Sequence, residues 1–325
     1  MPVDAPEVVE HFKDADHDPA TAYRLGRHDE RSGTRSRNPN TPKKTIYTLV
    51  VDDYAPQITD LTFPLMAAYA DKIGAELVVI RDRLCTLSSF GGFHQWPVTL
   101  EKFQTARLAR ERGDDWSIFI DADTLINPEF FDVTEHLPRD TVAHNGKDMA
   151  GVRWTYDEYF RRDGRHFGSC SWLVIASSWC VEDLWRLPEL SYEETLRRIH
   201  ITIGEHNSGN CRSEHLIDDY TLSRNIARFG LKTDTVTDIC GRLGWKAPDG
   251  KAFNPGLWHQ YTISVEDKVR RMLGVLSAPQ NALVLDPRDA NIQPGQQPKF
   301  QPHGIGWGVM TQEQLSGYKK KWKIK

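Results

Sequence analysis

The sequence predicts an α/β domain with a mainly parallel β-sheet. Three apolar runs have the length and composition of buried strands: "TIYTLVVDD" from residue 45, "AELVVIRD" from residue 75 and "WSIFI" from residue 116. Two segments with helical spacing of apolar residues separate these runs. Alternation of strands and helices is typical of parallel strands joined by crossover helices.

The first helical segment is "LTFPLMAAYADKIG", with apolar residues at Leu61, Leu65 and Ile73. Pro64 fits the first turn of this helix, because proline needs no backbone hydrogen-bond donor there. Gly74 fits its end.

The second helical segment, "VTLEKFQTARLARERG", ends at Gly113. Further along, "SWLVIASSW" (171–179) has the character of another buried strand. "DDYTLSRNIARFG" (218–230) predicts a helix that an aspartate can cap and that Gly230 ends.

These patterns divide the chain into three parts. Residues 1–43 are polar and predict an N-terminal extension, whereas residues 44–265 form the predicted domain. Residues 266–325 become rich in Pro, Gln and Gly, and we expect an irregular C-terminal extension packed on the body.

Composition narrows the class of protein. The chain has 325 residues, 26% of them charged, with a net charge of −4, which argues against a strongly basic nucleic-acid binder. It shows no secretory signal and no apolar run near the roughly 20 residues that span a bilayer. Five cysteines without a CxxC pair fit reduced thiols. We therefore expect a cytoplasmic location.

Two aspartates, Asp121 and Asp123, directly follow the third predicted strand. Residues i and i+2 of a strand share a face, so both carboxylates would point the same way if the strand continued. Two such charges repel unless a cation or a shared proton lies between them. Mg²⁺ and Mn²⁺ bind carboxylates together with substrate phosphates. A metal–diphosphate site is one interpretation, and an ordinary polar turn is the other.

Asp52, Asp53 and Tyr54 follow the first predicted strand. Ligands of open α/β sheets bind beyond the carboxyl ends of the strands. The two acidic strand ends therefore face one crevice in this prediction, although a plain polar turn would explain them equally.

The run "FIDADTLI" resembles the metal-dependent glycosyltransferases of the GT-A fold, whose DxD motif follows a strand of a Rossmann-like domain. Further segments are similar to that family in the same order. They are "EKF" at 101–103, "FGSCSWLV" at 167–174, "IDDYTLSRNIARFG" at 217–230 and "GLWHQYT" at 256–262. The resemblance covers roughly residues 44–265.

The resemblance implies a hexosyltransferase that uses a nucleoside-diphosphate sugar, most plausibly a UDP-sugar, with Mn²⁺ or Mg²⁺. It implies a nucleotide-sugar half at 44–150 and an acceptor half at 151–265. Asp219 would be the catalytic base, supported by Asp218. The implied metal ligands are Asp121, Asp123 and His259.

The donor contacts implied by the resemblance come from several segments. These residues are Asp52, Asp53, Tyr54, Lys102, Asp121, Gly168 and Ser169. An aromatic ring suits stacking on a base, carboxylates suit ribose hydroxyls, and an ammonium suits a phosphate or a pairing with Asp121.

Several alternatives stay open at the level of sequence. The helix-opening acidic pair favours an inverting transfer, but glycogenin-like retaining enzymes share the DxD and the late histidine. A sugar nucleotidyltransferase is disfavoured because "VVDDYAPQITD" has no glycine. A non-catalytic nucleotide-sugar-binding protein would also fit.

The acceptor is not defined by the sequence: a glycan, a lipid, a small molecule or a modified DNA base all fit. The terminal "KKKWKIK" (319–325) leaves peripheral contact with anionic lipid or nucleic acid open, although a solvated terminus is the simpler interpretation.

Overall fold

The computed structural model describes residues 42–52, 54–86, 96–145, 171–197, 217–246, 250, 254–260, 264–284 and 304–324. The chain is divided into two compact units. The first comprises the described parts of residues 1–52, 73–121 and 131–254, and the second those of 53–72, 122–130 and 255–325.

A six-stranded sheet forms the first unit. Its strands are β1 (Lys44–Leu49), β2 (Ala75–Ile80), β3 (Trp116–Ile120), β5 (Thr141–His144), β6 (Leu173–Ser177) and β7 (Lys232–Thr235). Their spatial order is β2-β1-β3-β6-β5-β7. The β1–β2, β1–β3 and β5–β7 pairs are parallel, whereas β3–β6 and β5–β6 are antiparallel. The predicted α/β class with a mostly parallel sheet is confirmed.

Helices flank this sheet. They are a 3-10 helix at Val98–Phe103, α2 (Gln104–Arg112), a 3-10 helix at Val133–His136, α3 (Val181–Leu184), α4 (Ile217–Arg228) and α5 (Val236–Arg242), and residues 192–197 are also helical. Helix α2 contacts β3, α3 contacts β6, and α5 contacts β7. All five residues of β3 and of β6 are buried, as expected for apolar runs covered on both faces.

The second unit holds helices and short strands. They are α1 (Pro56–Ile73, of which Ile73 belongs to the first unit), β4 (Leu125–Ile126), β8 (Leu257–Trp258), α6 (Val265–Ser277), β9 (Leu283–Val284), β10 (Gly304–Ile305) and α7 (Gln312–Trp322). Strand β4 pairs with β8 and β9 with β10, both antiparallel. One buried cluster joins Ile58 and Leu61 of α1, Leu125, Trp258, and Met272 of α6.

Two details differ from the prediction. Helix α1 begins at Pro56, so Pro56 occupies the first turn and Pro64 lies inside the helix. Residues 266–325 are not irregular throughout, because α6 and α7 form there. Ser264 and Thr311 cap these helices with their side chains.

None of the helices in the described ranges is both long enough and apolar enough to span a bilayer.

Candidate functional site

Strand β3 ends at Ile120, and Asp121 to Thr124 form a turn. The strand alternation that we invoked for Asp121 and Asp123 therefore stops before them. The chain passes between the two units directly after Asp121.

In the first unit, a buried lysine gathers carboxylates from two elements. Lys102 Nζ lies 2.9 Å from Asp121 Oδ1 and 2.9 Å from Asp218 Oδ2. Lys102 comes from the 3-10 helix before α2, Asp121 follows β3, and Asp218 lies in the first turn of α4. Contact between α4 and that 3-10 helix brings these side chains together.

Ser171, just before β6, connects the same groups. Its Oγ accepts a hydrogen bond from Lys102 Nζ at 3.0 Å and donates one to Asp218 Oδ2 at 2.7 Å. Its backbone N–H donates to Asp219 Oδ1 at 2.7 Å. The antiparallel β3–β6 pairing places Ser171 beside the end of β3, where Asp121 N–H donates to the Trp172 carbonyl.

The charges of this group shift two pKa values. Burial alone would lower the pKa of the Lys102 ammonium, but the nearby carboxylates, led by Asp121 and Asp218, raise it overall. Burial, and then the Asp218 carboxylate, raise the pKa of Asp219 to about 7 against the opposing effects of Lys102 and Ser171. Asp219 is therefore poised to exchange a proton near neutral pH.

In the second unit, Asp123 lies among three polar partners. Its Oδ2 accepts from Tyr54 Oη at 3.0 Å and from Lys268 Nζ, and its Oδ1 lies 3.3 Å from His259 Nε2. Antiparallel pairing of Leu125 with Trp258 brings the residues before β4 and after β8 together. Burial opposes ionisation of Asp123, but His259 and Lys268 lower its pKa overall.

The residues predicted to contact the donor lie in different environments. Asp52 is exposed and pairs with Arg83. Tyr54 is 38% exposed, with its hydroxyl on Asp123. The parallel β1–β3 pairing puts Asp52 and Asp121 beyond the carboxyl ends of two neighbouring strands. Asp53, Gly168 and Ser169 lie outside the described residues, and the roles of all these residues stay predictions.

Three further buried polar residues have no role in the sequence-based prediction: Glu101 and Ser171, which lie inside the segments "EKF" and "FGSCSWLV", and Lys268. Glu101 Oε atoms accept from the backbone N–H groups of Leu84, Cys85 and Thr86 at 2.8–2.9 Å. Glu101 thereby fixes the segment after β2 to the helix that presents Lys102. The detectable signal for Lys268 is its place on the apolar face of α6, between Val265 and Met272.

No family model matches the sequence, and no curated protein matches it. Among solved structures, one similar chain is a glycosyltransferase involved in the glycosylation of the major capsid of PBCV-1. It has 11% identity and a TM-score of 0.39 over 71% of this chain and 99% of that chain. Another is the WbbM bifunctional glycosyltransferase in its apo structure, with 13% identity and a TM-score of 0.35 over 62% of this chain and 40% of that chain.

Proposed function

We propose that the protein is a glycosyltransferase that moves a sugar from a nucleoside-diphosphate donor, a UDP-sugar in the first instance, to an acceptor hydroxyl. The observation that carries the proposal is the group formed by Asp121, Lys102, Ser171, Asp218 and Asp219. It lies beyond the carboxyl end of a central strand, where α/β sheets bind ligands.

In this proposal Asp219 is the catalytic base. Its pKa of about 7 suits removal of a proton from an acceptor hydroxyl at neutral pH. The Ser171 N–H and the first turn of α4 fix the carboxylate in place. One carboxylate acting directly on the acceptor corresponds to an inverting transfer.

The chemistry of the residues fits a divalent cation. Three carboxylates surround one ammonium in the first unit, which leaves an excess of negative charge when all are ionised. The buried Asp218 Oδ1 has no hydrogen-bond partner among the described residues. In the second unit, Asp123 and His259 offer an oxygen and an imidazole nitrogen, a donor set that suits Mn²⁺.

Asp123 and His259 would hold this Mn²⁺ or Mg²⁺ in the second unit. The ion would act as a Lewis acid that offsets negative charge on the departing diphosphate. In this proposal Asp219 accepts the proton of the acceptor hydroxyl.

The test is release of nucleoside diphosphate from a panel of nucleotide-sugars with Mn²⁺, Mg²⁺ or excess chelator. We expect turnover of one donor that chelator abolishes and Asp219→Asn strongly reduces. Asp234→Asn, which removes a carboxyl paired with exposed Arg242, is the matched control and keeps full activity. Proton NMR of the released sugar then reports whether the anomeric configuration inverts. Metal-independent release, or full activity of Asp219→Asn, would contradict the assignment.

A further inference from the structure

Lys268 lies on the buried, apolar face of the amphipathic helix α6. Helix α6 buries Val269, Met272 and Leu273, and Lys268 lies on the same side with only 6% of its surface exposed. Burying an ammonium costs on the order of several kcal/mol unless a partner of opposite charge compensates it. The position therefore requires a counter-ion.

Asp123 is that counter-ion. Lys268 Nζ contacts Asp123 Oδ2, and the two side chains are 8% and 12% exposed. Arg270, two residues further along α6, pairs instead with Glu266 and Asp267 at the surface. Within the second unit, Lys268 thus neutralises the carboxylate that the proposed function gives to a metal ion.

Three side chains already contact the Asp123 carboxylate. Tyr54 and Lys268 both donate to Oδ2, and His259 lies against Oδ1. A carboxylate offers about four lone-pair positions. These three partners leave one such position open, but a divalent cation there would lie beside the Lys268 ammonium, whose positive charge repels it and whose flexible stem lets it move away.

We infer that Lys268 is an internal counter-ion of Asp123 that a divalent cation must displace, and that it thereby sets the affinity of this carboxylate for metal. The inference rests on the proposed metal role of Asp123. It makes Lys268 a competitor of the ion. Occupation by metal releases the Lys268 ammonium from its buried partner, and loss of metal restores the ion pair.

The experiment measures Mn²⁺ binding to the whole protein from the electron paramagnetic resonance signal of unbound Mn²⁺. Lys268→Met keeps the apolar stem and removes the charge, so we expect the Kd to fall about tenfold, a change that corresponds to about 1.4 kcal/mol. Lys268→Arg keeps the charge and should bind as the unaltered protein does. Arg270→Met removes a charge from the same helix without touching Asp123, and its Kd should stay within about twofold.

Lys268→Gln provides a second neutral side chain in case Lys268→Met does not fold, and circular dichroism checks both. An unchanged or higher Kd in the folded neutral variant overturns the inference, as does an equal gain in Lys268→Arg or Arg270→Met. If the unaltered protein binds Mn²⁺ but the neutral variants gain nothing, only the inference fails. If none of the proteins binds Mn²⁺, the metal role of Asp123 fails with it.

Discussion

The ammonium of Lys102 and the carboxylate of Asp218 form a buried ion pair, with Nζ 2.9 Å from Oδ2 and side chains 5% and 4% exposed. The two residues come from different helices of the first unit. Ser171 Oγ hydrogen-bonds to both. The pair therefore joins the 3-10 helix before α2, the start of β6 and the start of α4 at one point. Its loss should weaken the packing of all three elements.

Replacing Lys102 with Met should destabilise the protein by about 3–5 kcal/mol, because the substitution leaves buried carboxylates without their cation. The measurement is urea denaturation followed by circular dichroism, with the slope against denaturant compared to confirm that the same transition is observed.

Arg107→Met is the control for that substitution. Arg107 pairs with Glu111 at the exposed surface of α2, so its loss should cost less than about 1 kcal/mol. A Lys102→Met protein as stable as Arg107→Met would show that the buried pair contributes nothing net to folding.

Asp219 makes stability depend on pH with a defined sign. Its folded pKa of about 7 lies above its ordinary value of 3.8, so its stabilising contribution is complete below about pH 4 and is lost as the pH rises through 7. Asp219→Asn cannot ionise. We expect the free energy of unfolding of the variant to gain steadily on that of the unaltered protein between pH 4 and pH 7.5.

Chemical denaturation at pH 4.5, 6 and 7.5 measures this difference, since other titrating groups are common to both proteins. A difference that stays constant over the range would mean that Asp219 titrates normally in the folded state. In that case Asp219 would not be poised to take up a proton at neutral pH.

Glu101 should depend on pH in the opposite direction. Burial alone would raise its pKa, but hydrogen bonds from Thr86 and from the backbone of Leu84 to Thr86 lower it overall. Its contribution is therefore present at neutral pH and lost as the pH falls through the folded pKa.

Glu101→Gln should cost about 3 kcal/mol at pH 7, since hydrogen bonds to a charged group contribute about 1.5–3 kcal/mol each and only some survive. Hydrogen exchange of the Leu84, Cys85 and Thr86 amides gives the local test. Faster exchange there than in β1 is expected, and unchanged protection would contradict the role of Glu101 as the anchor of this segment.

The sequence was sufficient for the elements with a strong apolar signal. Strands β1, β2, β3 and β6 were all predicted, because buried strands need continuous apolar runs. Strand β7, "KTDT", was missed, since it lies at the edge of the sheet and is mostly polar. Neither β5 nor the antiparallel position of β6 has a local signature, because strand order follows from the packing of the whole domain.

The same limit applies to the candidate site. Asp121, Asp218 and Asp219 were found because each lies at a recognisable element end. Ser171 and Lys268 were missed because their partners are remote in the chain: 145 residues separate Lys268 from Asp123. Spacing within one element predicts faces and caps, but it does not predict which side chains from distant elements meet.

Two glycines of the second unit should respond to alanine in opposite directions. A Cβ on Gly256, just before β8, would overlap the ring of Phe130, which is buried. The Gly256 carbonyl also accepts from Asn127 N–H at 2.8 Å, so the backbone is held against that ring. Gly256→Ala should therefore lower the free energy of unfolding of the protein by about 1–3 kcal/mol.

Gly317 lies in exposed helix α7 with open space around it, and Gly317→Ala should raise the free energy of unfolding by about 1 kcal/mol. Thermal denaturation of the two variants side by side checks both signs, and a stable Gly256→Ala protein would mean that the Phe130 ring moves aside at little cost.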